Sequence, residues 1–66
     1  MTVTVNGKPQ ALPDSATVAQ LVEALGFGEK RVAVEVNLAL VTKKEWPATI
    51  LKDGDKIEVV SFVGGG

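Results

Sequence analysis

The chain has 66 residues, with seven Lys and Arg against eight Asp and Glu, and it contains neither Cys nor His. This length allows one domain, and the two missing residue types exclude disulfides, cysteine-ligated metals, thiol catalysis and the commonest general base. The net charge of −1 makes nucleic acid an unexpected partner, because phosphate binding requires an excess of positive charge. No apolar run approaches the ~20 residues of a membrane helix, and the first residues predict a strand and not a signal peptide. We therefore expect a soluble, cytoplasmic monomer that binds no membrane, metal or cofactor.

Two strands joined by a tight turn open the chain. In MTVTV, apolar residues alternate with threonines, which is typical of a strand with one buried face. Asn6 and Gly7 both accept positive φ and favour a two-residue hairpin, so residues 8–12 return as a second strand. Pro9 cannot donate to a strand ladder, and it places this second strand at an edge of the sheet.

Residues 18–25 predict one amphipathic helix. Thr17 and Gln20 have the spacing of a capping box at its start, and Gly26 suits the left-handed position that ends a helix. Apolar residues recur at helical spacing and form one face, namely Val18, Leu21, Val22 and Leu25.

The residues after the helix return to the strand period. RVAVEVNLALV predicts a strand over 31–36, a turn at Asn37 and a short strand at 40–41. Residues 43–46 predict one helical turn that ends before Pro47, because proline restricts the residue that precedes it. Trp46 is predicted to cover the core as a lid.

The last predicted strand, KIEVVSFV, indicates how the elements are arranged in the fold. It should place Ile57 and Val59 inward, and Glu58, Val60 and Phe62 on the opposite face. Its density of β-branched residues suits the centre of the sheet, parallel to the first strand. The elements together predict an α+β fold of the β-grasp (ubiquitin-like) type, a mixed sheet of four to five strands packed on one main helix. Residues 1–63 form this domain, and residues 64–66 form a flexible tail. The predicted core consists of Val3, Val5, Leu12, Val18, Leu21, Val22, Leu25, Val34, Val36, Leu51, Ile57 and Val59.

Catalytic and metal sites are not indicated. Hydroxyl groups of Ser and Thr have no histidine to activate them. Asp53 and Asp55 have the spacing that begins a calcium loop, but the other ligands of that motif are missing. The sequence therefore predicts a plain turn at 53–55.

Three glycines follow the last strand. Gly64, Gly65 and Gly66 have no side chains, so they form the slimmest chain end available and can enter a narrow channel. Residues 63–66 span at most ~13 Å when extended. A frayed terminus is the alternative interpretation.

These features together resemble the ThiS family, the sulfur carriers of thiamine biosynthesis. The resemblance covers nearly the whole chain, and one departure is the apolar turn NLALV at 37–41. The segments that match the family are VNGK at 5–8, ATVAQLVEALG at 16–26, RVAVEVN at 31–37, EW at 45–46 and DGDKIEVVSFVGGG at 53–66.

The resemblance implies a carrier and not an enzyme. An E1-like adenylyltransferase (ThiF-like) would use ATP to adenylate the carboxylate of Gly66, and a sulfur donor such as a cysteine desulfurase would supply the sulfur of a thiocarboxylate. Thiazole synthase (ThiG-like) would receive that sulfur. Gly64 and Gly65 would thread into the partner's active site. Val60 and Phe62 alternate onto the sheet face away from the helix, so together with Val63 they would form a docking surface for the partner. The alternative interpretation is that they are ordinary exposed apolar residues or are covered by the chain itself.

Two other functions stay open at this point. The first is a sulfur carrier of another pathway, such as the small subunit of molybdopterin synthase, although that family often has an aromatic-proline run before its terminal glycines. The second is a non-covalent ubiquitin-like interaction module that uses its surface and no tail chemistry.

Overall fold

The computed structural model describes residues 1–27 and 31–62, which form a five-stranded mixed sheet packed on one α-helix. The elements in chain order are β1 Thr2–Val5, β2 Lys8–Ala11, α1 Val18–Ala24, β3 Val32–Val36, β4 Ala39–Val41, a 3-10 helix Lys43–Ala48 and β5 Lys56–Ser61. The strand order across the sheet is β2-β1-β5-β3-β4. This arrangement confirms the predicted β-grasp fold. Neither helix in residues 1–27 and 31–62 has the length and apolar composition of a membrane-spanning segment.

β5 occupies the centre of the sheet, as its β-branched composition predicts. It pairs in parallel with β1, with Val5 opposite Ile57. It pairs antiparallel with β3, from Val32 opposite Ser61 to Val36 opposite Ile57. In the part of the chain that the structure describes, the two hairpins are therefore joined in the sheet through this strand alone, and β2 with its Pro9 lies at an edge.

Local sequence signals place the helix and the first hairpin. Asn6 and Gly7 take φ values of 50° and 83°, as a tight hairpin turn between β1 and β2 requires. The capping box is present at the start of α1, where the Gln20 amide N donates to Thr17 Oγ1 (3.2 Å) and the Thr17 amide N donates to Gln20 Oε1 (2.8 Å). The helix ends with Leu25 as its C-cap, followed by Gly26 at φ 82°.

The core lies between α1 and one face of the sheet. Two of the predicted core residues, Leu25 and Val36, are half-buried and pack against its border. Trp46 is buried and its indole Nε1 donates to the Val41 carbonyl (3.0 Å), which confirms its role as a lid. The buried hydrophobic residues are Val3, Val5, Leu12, Ala16, Val18, Leu21, Val22, Val32, Val34, Trp46, Leu51, Ile57 and Val59.

The prediction that the helical turn ends before Pro47 is wrong. The 3-10 helix continues through Pro47 to Ala48. Proline has a backbone φ compatible with a helix and removes only its own N–H donor, and hydrogen bonds beyond it hold the last turn. The Thr49 amide N donates to the Trp46 carbonyl (3.3 Å), and Thr49 Oγ1 donates to the Glu45 carbonyl (2.9 Å).

Candidate functional site

The candidate site begins where β5 leads toward the glycine run. Val63, Gly64, Gly65 and Gly66 lie outside the described residues. The structure therefore describes the root of the predicted tail and the surface beside it. The strand register continues one residue past β5, because the Phe62 amide N donates to the Arg31 carbonyl (2.9 Å).

The side chain of Asn6 fastens β5 from the β1 side. The main chain leaves the sheet at the Asn6-Gly7 turn, after the Asn6 amide N has donated to the Ile57 carbonyl (2.9 Å). The Asn6 side-chain amide then acts as a further peptide group: its Nδ2 donates to the Val59 carbonyl (3.1 Å), and the Val59 amide N donates to its Oδ1 (2.8 Å). Sequence reasoning assigned Asn6 to the turn alone and missed this contact.

Asn37 fastens the beginning of β5 in a similar way. Its amide N donates to the Lys56 carbonyl (2.7 Å), and its Oδ1 accepts from the Lys56 amide N (3.0 Å). Its Nδ2 donates to Asp55 Oδ1 (3.0 Å). Asn37 has φ 52°, so it combines a left-handed turn with a grip on the central strand, as Asn6 does. The strand that leads to residues 63–66 is therefore hydrogen-bonded by an asparagine side chain on each side.

The outer face of the sheet, the face opposite α1, carries exposed apolar side chains. Val60 is 59% exposed and Phe62 is 56% exposed, as the alternation of β5 predicts. Two further residues were not predicted as part of this surface, namely Leu40 (64% exposed) on β4 and Leu38 (90% exposed) in the β3–β4 turn. Leu38 has φ 72°, a left-handed conformation that is unusual for a bulky side chain.

The carboxylates of the turn at 53–55 accept hydrogen bonds from backbone amides of the start of β1 and of the turn itself. Asp53 Oδ1 accepts from the Thr2 amide N (2.8 Å), and Asp55 Oδ2 accepts from the Lys52 amide N (2.8 Å). These contacts explain the Asp residues without a metal. Over residues 1–27 and 31–62, no group of three or more acidic side chains is placed to hold a metal ion.

The fold and the central strand that leads to a glycine run define a ubiquitin-like protein of the β-grasp class. The model of the ThiS family matches residues 3–66, and the chain belongs to this family. The resemblance inferred from the sequence motifs is thereby confirmed.

Individual relatives agree with this assignment. A crystal structure of a thiamine biosynthesis protein (ThiS) from Geobacter metallireducens is similar with a TM-score of 0.83 and 39% identity, covering 100% of both chains. The sulfur carrier protein ThiS of Thermus thermophilus is 38% identical over 64 residues, which are 97% of this chain and 98% of that protein. The thiazole synthase of Paramagnetospirillum magneticum is 41% identical over 66 residues, 100% of this chain.

The relatives differ in how much of their length the chain covers. It spans 20% of the length of the thiazole synthases that it matches. By contrast, it spans nearly all of the sulfur carrier proteins of Thermus thermophilus and Escherichia coli. Since those relatives are carriers and not catalysts, the prediction that this chain is not an enzyme is confirmed.

Proposed function

We propose that this chain carries sulfur for thiazole formation in thiamine biosynthesis, with the α-carboxylate of Gly66 as the carrier group. One observation supports this proposal above all: the match to the ThiS family extends over residues 3–66 and so includes the glycine run. The names of the matched relatives favour thiamine biosynthesis over molybdopterin biosynthesis. The proposal requires that Gly66 carry a free carboxylate.

The chemistry begins with activation, because a carboxylate is a poor electrophile. The Gly66 carboxylate attacks the α-phosphorus of ATP and expels pyrophosphate, which leaves an acyl adenylate. The terminal sulfur of a persulfide then attacks the acyl carbon and expels AMP, which forms an acyl disulfide. A second thiol cleaves the S–S bond, so the acyl sulfur leaves as the thiocarboxylate and the two thiols become a disulfide.

The domain presents the C-terminal carboxylate to the partner enzymes and supplies no catalytic group. β5 is hydrogen-bonded on the β3 side up to Phe62, and on the β1 side up to Val59 through β1 and the Asn6 side chain, so a partner can hold the domain while it receives residues 63–66. These residues reach at most ~13 Å, which is enough to place the carboxylate inside a partner. Val60 and Phe62 offer that partner exposed apolar area beside the root of the tail.

The partners follow from these steps. An E1-like adenylyltransferase (ThiF-like) binds ATP and activates Gly66, a cysteine desulfurase supplies the persulfide, and thiazole synthase (ThiG-like) receives the sulfur. The chain itself is a cytoplasmic monomer and binds no cofactor, since ATP and the catalytic groups belong to the partners. Thiazole synthase has additional support, because two thiazole synthases contain a segment that matches the whole chain.

Intact mass spectrometry tests this proposal. The chain is incubated with ATP, the E1-like enzyme of the same genome, a cysteine desulfurase and cysteine. We expect the mass increase of one oxygen replaced by sulfur, on the fragment that contains Gly66. A chain with alanine added after Gly66 is the matched control, since its carboxylate is displaced by up to ~3.5 Å and near-attack geometry tolerates far less.

Pyrophosphate release separates activation from sulfur transfer. It is measured for the native chain, for the chain extended by alanine and for a chain that lacks Gly65 and Gly66. Only the native chain should release pyrophosphate rapidly. Equal rates for the three chains would show that Gly66 is not the reactive group, and the glycines would then be a frayed end.

A further inference from the structure

Two like charges lie opposite each other at the centre of the outer face. The register of β3 and β5 places Glu35 directly opposite Glu58, and the same row continues to Leu40 on β4. Like charges in directly opposed positions destabilise a sheet. Within the part of the chain that the structure describes, the salt bridge present joins the Met1 amine to Asp14, so neither glutamate forms an ion pair there, although Lys56 lines the same open pocket as Glu58.

Apolar side chains border this pair on both sides. Val60 on β5 and Phe62, one residue past the end of β5, follow Glu58, and both are more than half exposed. On the other side, Leu38 lines an open pocket together with Asn37, Lys56 and Glu58.

The side chain of Leu38 contributes little to the stability of the fold. Its side chain is 90% exposed and its φ is 72°, so it gains little from burial and adopts a conformation that glycine would adopt with less strain. A strained, exposed apolar residue is explained when its side chain has a binding partner.

We propose that Leu38, Leu40, Val60 and Phe62, together with Glu35 and Glu58, form one docking surface for thiazole synthase. An arginine or lysine side chain of the synthase lies between the two carboxylates, and apolar side chains of the synthase cover the four hydrophobic residues. This inference rests on the proposed function, and it names the partner and the chemistry of its contact.

The physical reason lies in the charges. A cation between the two glutamates removes their repulsion and forms charge-assisted hydrogen bonds to both. The surrounding apolar contacts exclude water, which strengthens the interaction. Arginine suits the position better than lysine, because its planar guanidinium can bind two carboxylates at once.

The same charges disfavour other occupants. Two copies of the chain that meet face to face at this surface would bring four carboxylates together, and an anionic membrane would repel the pair. Thiazole synthase is the occupant that we infer for this surface, because the enzyme of Paramagnetospirillum magneticum contains a segment 41% identical to the whole chain. That segment and the rest of the enzyme form one polypeptide. The two functions are thus physically joined in that relative.

Each substitution in the test replaces Glu with Gln, which keeps the size of the side chain and removes one negative charge. Binding of the full-length chain to purified thiazole synthase from the same genome is measured by calorimetric titration at low and high salt. The variants are Glu35→Gln/Glu58→Gln and, as the control, Glu23→Gln, which removes a charge from the exposed face of α1.

We expect the double variant to bind at least about tenfold more weakly, with a smaller dependence on salt, because a paired charge is lost at the interface. Its thermal midpoint should be equal to or higher than that of the native chain, since the repulsion is relieved. Glu23→Gln should bind like the native chain. Leu38→Gly should also weaken binding while it leaves the midpoint unchanged or raised.

Three results would overturn the inference. They are equal binding by all the variants, an equal loss in Glu23→Gln, and no binding of the native chain to thiazole synthase. A native chain that binds but never acquires sulfur in the mass assay would refute the proposed function and leave the surface intact. A native chain that acquires sulfur, with double-variant binding unchanged, would refute the surface alone.

Discussion

Replacement of Asn6 by glycine tests whether the side-chain amide continues the sheet beyond the end of β1. Glycine keeps the positive φ of the turn, so Asn6→Gly removes the side chain without bending the hairpin. The partly buried N–H and C=O of Val59 then lose their partners at 2.8 Å and 3.1 Å.

The expected loss follows from these two hydrogen bonds. Each one contributes about 1 kcal/mol net, and more where the group left behind is buried, so we expect unfolding to become easier by ~2 kcal/mol. For a domain of this size the thermal midpoint should fall by roughly 10 °C.

Asn37→Gly is the matched control. Asn37 also has positive φ and also bonds the backbone of β5 at Lys56, but its side-chain contacts are exposed. Water can replace exposed hydrogen bonds, so this variant should lose less than ~1 kcal/mol. The cost of glycine in the unfolded chain is common to both variants and cancels in the comparison.

The assay is urea unfolding followed by fluorescence. Trp46 is the only tryptophan and is buried over the core, so its emission reports the packing of the whole domain. Circular dichroism checks that both transitions coincide. Equal losses in the two variants, or no loss in Asn6→Gly, would refute the idea that the Asn6 side chain holds β5.

Three other perturbations have definite expected outcomes. Leu21 is fully buried, so Leu21→Ala should cost about 2–5 kcal/mol in urea unfolding; a change below ~0.5 kcal/mol would contradict the packing of α1 on the sheet. Phe62→Ala should weaken binding to the E1-like enzyme by about 2 kcal/mol in a titration while the circular dichroism spectrum stays the same, and unchanged affinity would remove Phe62 from that interface. Gly65→Ala should slow pyrophosphate release through its restricted φ and added methyl group, without a shift in the thermal midpoint; an unchanged rate would argue against a narrow channel.

Local signals in the sequence predicted much of the fold. The capping box needs only Thr17 and Gln20, three residues apart, and the first hairpin needs only Asn6 and Gly7. The central position of β5 followed from its β-branched composition. Pro47 misled the prediction because a short 3-10 helix tolerates a missing donor when its neighbours supply other hydrogen bonds.

Two of the features missed by sequence reasoning depend on pairings between distant residues. The bonds from Asn6 to Val59 join residues 53 positions apart, so no local pattern indicates them. Glu35 and Glu58 read as ordinary surface charges until the strand register places them opposite each other. The conformation of Leu38 was also hidden, because leucine is not a residue that signals positive φ.

The central position of β5 has a consequence for incomplete chains. Over residues 1–27 and 31–62, the β1–β2 and β3–β4 hairpins are joined in the sheet only through β5, and an isolated hairpin is at best marginally stable in water. A chain interrupted before Lys56 therefore cannot build the sheet, and it presents no folded surface. Truncated products would not compete with intact chains for a partner that binds the folded sheet, because the strand that leads to the glycine run is also the strand that completes the domain.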